Sequence, residues 1–187
     1  MNVGKWPGVI GRREKKGGHM RNARLTRCAG CGAEVPEESG PTHRYLESAP
    51  ACWRIYTELL ARDYTDPAYY EHHRLCVDAY AVQHPGRPSP QTLQSAAVHL
   101  VRLYMILEGG LPLAQANDFM KRFAERDKQS MHWLEPPQRR GELTVVDVAV
   151  AGDAAEHATL AWKWAASAWN AWSPHHPQIR QWAFAYL

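Results

Sequence analysis

The sequence predicts an all-α protein, a helical bundle of about five to six helices with an irregular N-terminal zinc-knuckle lobe. Three observations lead to this fold class. Apolar residues recur at helical spacing through several long segments. Serine–proline or aspartate–proline pairs precede some of these segments, and glycine or proline follows their ends. One stretch has the β-branched composition of a strand, but no second segment offers it a partner.

Capping signals and periodicity place the first four helices. The first begins at Ser48 or Pro50 after a loop rich in proline, glycine, serine and glutamate. Asp66 and Ser89 are the expected N-caps of the second and third, each followed by a proline, and Pro112 opens the fourth. The predicted helices cover residues 51–64, 67–83, 91–108 and 113–126.

The C-terminal third is predicted to hold a helical turn and two further helices. Residues 142–150 are the strand-like stretch, which we interpret as a short helical turn capped by Thr144. A fifth helix covers 153–172 and a short last one 178–186. Trp162, Trp169 and Trp172 recur at helical spacing in the fifth helix, with Trp164 on another face, so core packing with hydrogen-bonded indoles is expected.

Composition indicates one globular domain, residues 25–187, behind a disordered basic leader, residues 1–24. The chain has 187 residues, of which 45% are hydrophobic and 22% charged, with a net charge of +3. The first 27 residues hold eight lysines and arginines against a single glutamate, so the basic excess belongs to the leader. No membrane-length apolar run and no hydrophobic signal core are present, which favours a cytoplasmic protein without a membrane partner. A nucleic-acid partner is expected only through the leader; otherwise the partner is an unknown small molecule or protein.

The stretch RCAGCG, residues 27–32, is the clearest chemical motif. Two cysteines separated by two residues aim their thiolates at one point, and the glycines tolerate the tight turn that this requires. A redox pair and an ordinary turn with two buried thiols are the alternatives. The redox alternative normally requires a strand before the pair and a helix after it, a pattern absent here. Half of a zinc site is therefore the favoured interpretation.

Two further ligands are needed to close such a site. Cys52 lies at the start of the first helix, where the helix dipole favours a thiolate. The short turn near residue 65 makes the first two helices antiparallel, which brings the end of the second helix level with Cys52. His84 is therefore the favoured fourth ligand and His73 the second choice, with His43 of the long loop as a rival.

Other candidate groups have more ordinary interpretations. Cys76 is expected to be a small buried thiol among apolar neighbours. His99 is expected to be a hydrogen-bonded core residue, although a metal or acid–base site between facing helices is the alternative. The remaining histidines are expected at the surface or in loops: His72, His132, His157, His175 and His176.

Three segments carry a resemblance to a known family: CAGCG, CW followed by ELLARDYTDPAYY, and HRLCVDAYAVQHPGRPSPQ. Over about residues 28–186 the chain resembles a bacterial, largely actinobacterial, family catalogued as a domain of unknown function. The resemblance implies that five positions match the family pattern: Cys28, Cys31, Cys52, His73 and His84. Shorter relatives lack the GPTHRY loop, which weakens His43 as a ligand, and a threonine is expected in place of Cys76.

The sequence therefore predicts a zinc-binding α-helical domain whose metal is structural and which acts as a binding or regulatory module. Cys28, Cys31 and Cys52 provide thiolates, and His84 or His73 completes the tetrahedron. The alternative is a metal-dependent enzyme, of hydrolase or thiol-transfer type, in which the zinc keeps an open position and a histidine acts as acid or base. The sequence alone leaves both open.

Overall fold

A computed structural model describes residues 24–125 and 131–184. The predicted leader therefore lies outside the described residues except for Arg24. The strands and helices occur in the following order: β1 Leu25–Arg27, β2 Glu34–Pro36, α1 Pro50–Thr65, α2 Pro67–Tyr70, α3 His73–Gln83, α4 Pro90–Leu107, α5 Leu113–Glu125, α6 Val145–Ala149, α7 Ala154–Ala171, a 3-10 turn Ser173–His175, and α8 His176–Phe184.

The predicted all-α class is confirmed. Six of the helices in the described part of the chain have nine or more residues, and α2 and α6 are single turns. The predicted helical turn after Thr144 is α6, whose first turn is capped by the Thr144 hydroxyl accepting from the Val146 N–H. Ser89 likewise caps α4 in a reciprocal arrangement with Thr92.

A small antiparallel ribbon, β1–β2, flanks the cysteine motif and was not expected from the sequence. Leu25 pairs with Pro36 and Thr26 with Val35, so the loop predicted after the motif begins with a strand. Strands of three residues are too short to display an alternating pattern, so hydrophobic periodicity does not predict them. The ribbon gives the N-terminal lobe a defined shape and carries the motif at its turn.

The second predicted helix is divided into α2 and α3 by a break at residues 71–72. No glycine or proline marks the break, so the sequence offers no local signal for it. Aromatic packing accompanies it: the His73 ring lies 4.3 Å from the Tyr64 ring and 5.8 Å from the Tyr70 ring, parallel to the latter. His73 therefore stands in the first turn of α3, at the opposite end from His84.

The core forms around α3, which packs between α4 and α7, while α1 packs on α6 and α3. Trp164, Trp169 and Trp172 are buried, whereas Trp162 is 38% exposed, so the predicted stripe containing Trp162 is wrong. The indoles of the buried three do find partners: Trp164 Nε1 donates to Gln83 Oε1 at 2.8 Å and Trp172 Nε1 to the Val82 carbonyl at 3.1 Å. The packing role of the tryptophans is thus confirmed on a different helix face.

Among the described residues, no helix combines the length and apolar character that crossing a membrane requires.

Candidate metal centre

Four side chains from three parts of the chain converge at one point: Cys28, Cys31, Cys52 and His84. Their ligand atoms all lie within 4.8 Å of one another, and the four residues are between 0% and 8% exposed. Cys52 Sγ lies 3.8 Å from Cys31 Sγ and 3.4 Å from His84 Nε2. A tetrahedral zinc ion with ordinary bond lengths separates two sulfurs by about 3.8 Å and a sulfur from a nitrogen by about 3.6 Å. The observed spacings therefore match those of a bound ion.

Backbone geometry aims the two cysteines of the motif. The Gly32 N–H donates to the Cys28 carbonyl at 2.9 Å, and the Cys28 N–H donates to the Ala33 carbonyl at 2.9 Å. Gly32 has a φ of 78°, a left-handed conformation that only glycine adopts at low cost. A Cβ atom at Gly30 would overlap the His84 imidazole. The two glycines thus permit the turn and the close approach of the turn to His84.

The third thiol is presented by the N-terminus of α1. Cys52 lies in the first turn of that helix, and the N-cap Ala49 has no side-chain oxygen to satisfy the free N–H groups. The Ala49 N–H instead donates to Cys28 Sγ at 3.4 Å, and the Tyr80 hydroxyl donates to Cys52 Sγ at 3.7 Å. These donors and the helix dipole favour sulfur in its thiolate form.

His84 sits at the C-terminal end of α3 with its ring orientation fixed. Its Nδ1 lies 2.7 Å from the Tyr80 carbonyl, which can only accept, so Nδ1 carries the proton. The Nε2 lone pair then faces the thiols, which is the tautomer that a metal requires. The ring also stacks on Tyr80 at 3.9 Å, and Tyr80 stacks on Tyr56 at 3.7 Å. The imidazole is therefore held in place before any ion binds.

The thiols cannot all ionise without a cation. A hydrogen bond from Cys31 lowers the pKa of Cys28, whereas the hydrogen bond to Cys28 raises the pKa of Cys31 to about 12 and also raises that of Cys52. Cys28 is thus the thiolate, and it accepts hydrogen bonds from the protonated thiols of Cys31 and Cys52. Burial lowers the pKa of Arg140. The negative charge of Cys28 and Cys31 acts on the same guanidinium and raises its pKa by a smaller amount. Three thiolates at this point require a divalent ion.

Of the other predicted candidates, none belongs to this cluster. His73 lies at the far end of α3, where its Nδ1 is 3.7 Å from Asp63 Oδ2. His43 is exposed and packs its ring 5.2 Å from that of Trp53. His99 Nδ1 lies 2.7 Å from Asp78 Oδ1, which confirms a hydrogen-bonded role, and Cys76 is buried as expected.

A cleft of about 700 Å³ adjoins the cysteine motif. Its walls are the motif itself and the segment 138–147. The cleft carries charged side chains of both signs: Arg27, Glu34, Arg139, Arg140, Glu142 and Asp147. Gln83, next to His84, anchors the opposite wall by donating to the Arg140 carbonyl at 2.7 Å and to the Leu143 carbonyl at 2.8 Å. The end of α3 therefore connects the metal centre to both walls of the cleft.

Several buried polar residues are not predicted from the sequence, among them Asp63 and His157. His176 was expected at the surface and is buried, which corrects that prediction. His157 was also expected there and is fully buried, a second correction. Periodicity could have revealed it, because His157 stands four and seven residues before the buried Ala161 and Trp164. Asp63 is likewise four residues after the buried Leu59, on the core face of α1. A polar residue in phase with an apolar stripe is the sequence signal for such a buried position.

Residues 26–173 match the model of a family of unknown function, DUF5946. No curated protein and no solved structure matches the chain.

Proposed function

We propose a function from the site alone, because the chain belongs to DUF5946, a family of unknown function. We propose that it is a cytoplasmic α-helical domain with one structural zinc ion, bound by Cys28, Cys31, Cys52 and His84. The ion organises a binding or regulatory module whose partner is a small molecule or another protein.

The observation that carries this proposal is the spacing of four buried donor atoms. Three sulfurs and one imidazole nitrogen form a donor set that zinc prefers, since thiolates suit soft and borderline metals. The distances of 3.8 Å and 3.4 Å around Cys52 Sγ are close to the values of about 3.8 Å and about 3.6 Å for ligands of one tetrahedral zinc ion, which supports the proposal. The hydrogen bond from His84 Nδ1 to the Tyr80 carbonyl supplies the orienting contact that metal-bound histidines usually have.

A structural role is favoured over a catalytic one. The hydrolase or thiol-transfer alternative requires an open position for water or substrate, and catalytic zinc sites leave that position by using three protein ligands. Here four protein donors are available, and the most exposed of the four residues, Cys31, is only 8% exposed. A complete and buried donor set supports a closed site.

The ion would connect elements that are far apart in the sequence. Cys31 and Cys52 are 21 residues apart, and His84 follows 32 residues after Cys52. Closing such long loops adds folding free energy, because the ion is bound in the native state alone. It would also fix the cysteine motif as one wall of the adjoining cleft, and this supports a binding role for that surface.

The test is the zinc content of protein purified under reducing conditions and dialysed against a weak chelator. The wild type should retain about one zinc per chain, and Cys31→Ser should lose it together with several degrees of melting temperature. Cys76→Ser is the matched control, because it changes a buried cysteine outside the cluster and should keep the tightly bound ion. Zinc-free wild-type protein with an unchanged melting curve after zinc addition would contradict the proposal.

A further inference from the structure

A second group of metal-capable side chains is buried between three helices. Asp63 on α1, Cys76 on α3 and His157 on α7 bring a carboxylate oxygen, a sulfur and an imidazole nitrogen within 4.8 Å of one another. All three residues are fully buried. His157 Nε2 lies 3.4 Å from Asp63 Oδ1 and 4.0 Å from Cys76 Sγ. The group shares no residue with the first cluster, Cys28, Cys31, Cys52 and His84, which we call the Cys3His cluster.

The Asp63 carboxylate is incompletely satisfied. Within the described part of the chain, neither of its oxygens accepts a hydrogen bond, although both are buried. His73 Nδ1, 3.7 Å from Asp63 Oδ2, is likewise a buried nitrogen without a hydrogen bond among the described residues. A buried carboxylate is costly unless it is paired and hydrogen-bonded or binds a metal. The arrangement is therefore that of a site prepared for a cation.

Arg62 is a positive charge beside the cluster, and it does not bond to the Asp63 carboxylate. Its Nη2 lies 2.9 Å from His157 Nδ1. Because a guanidinium only donates, Nδ1 accepts, and the proton of His157 resides on Nε2, facing Asp63. Arg62 also donates to the carbonyls of Val148 and Ala151, each at 3.4 Å. These carbonyls would keep the Arg62 guanidinium hydrogen-bonded if its contact with His157 were lost.

We propose that Asp63, Cys76 and His157 form a second metal site, for a zinc-class divalent cation. Carboxylate, thiolate and imidazole are all ligands of zinc, and three protein ligands leave one tetrahedral position for water or a small exogenous ligand. This site goes beyond the proposed function, since it does not depend on the Cys3His ion.

Ion binding has a defined proton balance. The Cys76 thiol gives up its proton, and the His157 proton moves from Nε2 to Nδ1, so Arg62 must release that nitrogen. A cavity lies beside the cluster. It has a volume of about 550 Å³ and is lined by His73 together with Tyr70, Leu113 and Trp162. The same His73 places its Nδ1 3.7 Å from Asp63 Oδ2, so it connects the cavity lining to the cluster.

Equilibrium dialysis of the full chain against zinc under anaerobic, reducing conditions tests the site. The wild type should bind about two ions per chain at saturation, and Cys76→Ala and Asp63→Asn should each bind about one. Asp118→Asn, at an exposed position, is the matched control and should bind as the wild type does. If Asp63→Asn fails to fold, the number of ions bound by Cys76→Ala alone tests the site. This variant should fold, because alanine suits a small buried position.

Two results would overturn this second site. One is saturation of the wild type at about one ion per chain, the number that the Cys3His cluster alone accounts for. The other is a second ion that Cys76→Ala leaves in place. Failure of the Cys3His proposal would look different, because there the chelator-resistant ion would be missing while an exchangeable ion sensitive to Cys76→Ala would still bind.

Discussion

His84 Nε2 lies 3.4 Å from Cys52 Sγ, although the two residues stand at opposite ends of different helices. Cys52 is in the first turn of α1 and His84 directly follows α3, so the antiparallel course of the two helices brings them level. The relationship explains why a histidine can complete a site whose other three ligands are cysteines. It also makes His84 the most informative position for mutation.

His84→Ala should abolish tight zinc binding and lower the melting temperature, because it removes one of four ligands from a closed site. His73→Ala is the matched control, a second buried histidine of the same helical region that lies outside the cluster. It should retain the chelator-resistant ion. Zinc content by elemental analysis and thermal unfolding check both variants. Retention of the ion by His84→Ala with loss in His73→Ala would transfer the site to the other end of α3.

Gly30→Ala should also lose zinc, although it changes no ligand. The added methyl group would overlap the His84 ring, which stacking on Tyr80 prevents from moving away. Gly40→Ala is a matched control, since the nearest atom to its methyl group would be Pro50 Cβ at an ordinary 3.7 Å. The zinc content of the two variants is compared. A normal zinc content in Gly30→Ala would contradict the close approach of the motif to His84.

Zinc binding should release about two protons at neutral pH. Without the ion, the lowered pKa of Cys28 leaves it ionised, whereas the raised pKa values keep Cys31 and Cys52 protonated until zinc displaces their protons. Affinity should therefore increase with pH over this range. Calorimetric titrations of Cys76→Ala in buffers of different ionisation enthalpy measure the proton count at the Cys3His site. Binding that is independent of pH would contradict the assignment of three thiolate ligands.

Asp78→Asn should destabilise the fold by about 3–5 kcal/mol, because it leaves the buried Arg102 guanidinium without its counter-charge. Burial alone would raise the pKa of Asp78, but Arg102 and His99 hold it below its usual range. The ion pair therefore stabilises the fold above the ordinary pKa of an aspartate, and this contribution is lost as pH falls through the folded-state pKa.

Urea unfolding at neutral and acidic pH checks this prediction. The exposed Asp118→Asn should change the free energy of unfolding by less than about 0.5 kcal/mol. A similarly small effect of Asp78→Asn would contradict the importance of the pair.

Removal of residues 1–23 should leave both zinc content and melting temperature unchanged, because the predicted ligands all follow this basic segment. The deletion has to stop before Arg24, whose carbonyl accepts a hydrogen bond from the Glu37 N–H beside the β1–β2 ribbon. If the deletion lowered the melting temperature by several degrees, the segment would have to pack against the domain.

The sequence predicted the helices well where local chemistry defines them. Aspartate, serine and threonine caps marked the starts of α2, α4 and α6, and a proline follows the cap of α2 and of α4. These features act within a few residues. It also placed His84 beside Cys52, because the turn near residue 65 and the helical rise constrain that distance. The break at 71–72 escaped prediction because no glycine or proline marks it. Ring packing of His73 against Tyr64 and Tyr70 accompanies the break, and such packing is not a local sequence pattern.

The second cluster escaped prediction for a different reason. Asp63 and His157 follow the apolar periodicity of α1 and α7, but each was assigned by its polar chemistry to the surface or to no role. Their proximity depends on how α1, α3 and α7 pack, which a single sequence does not specify. A polar residue in phase with a buried stripe is therefore worth attention whenever a helix is assigned to the core.

The most direct test of the zinc centre is a crystal structure with anomalous diffraction recorded on both sides of the zinc absorption edge. We expect an anomalous peak between the three sulfurs and His84 Nε2, at about 2.3 Å from each sulfur and about 2.0 Å from the nitrogen. We also expect four protein ligands and no water on that ion. Absence of a peak between Cys28, Cys31, Cys52 and His84 in protein crystallised with zinc would contradict this expectation, as would an ion there that binds water in place of His84.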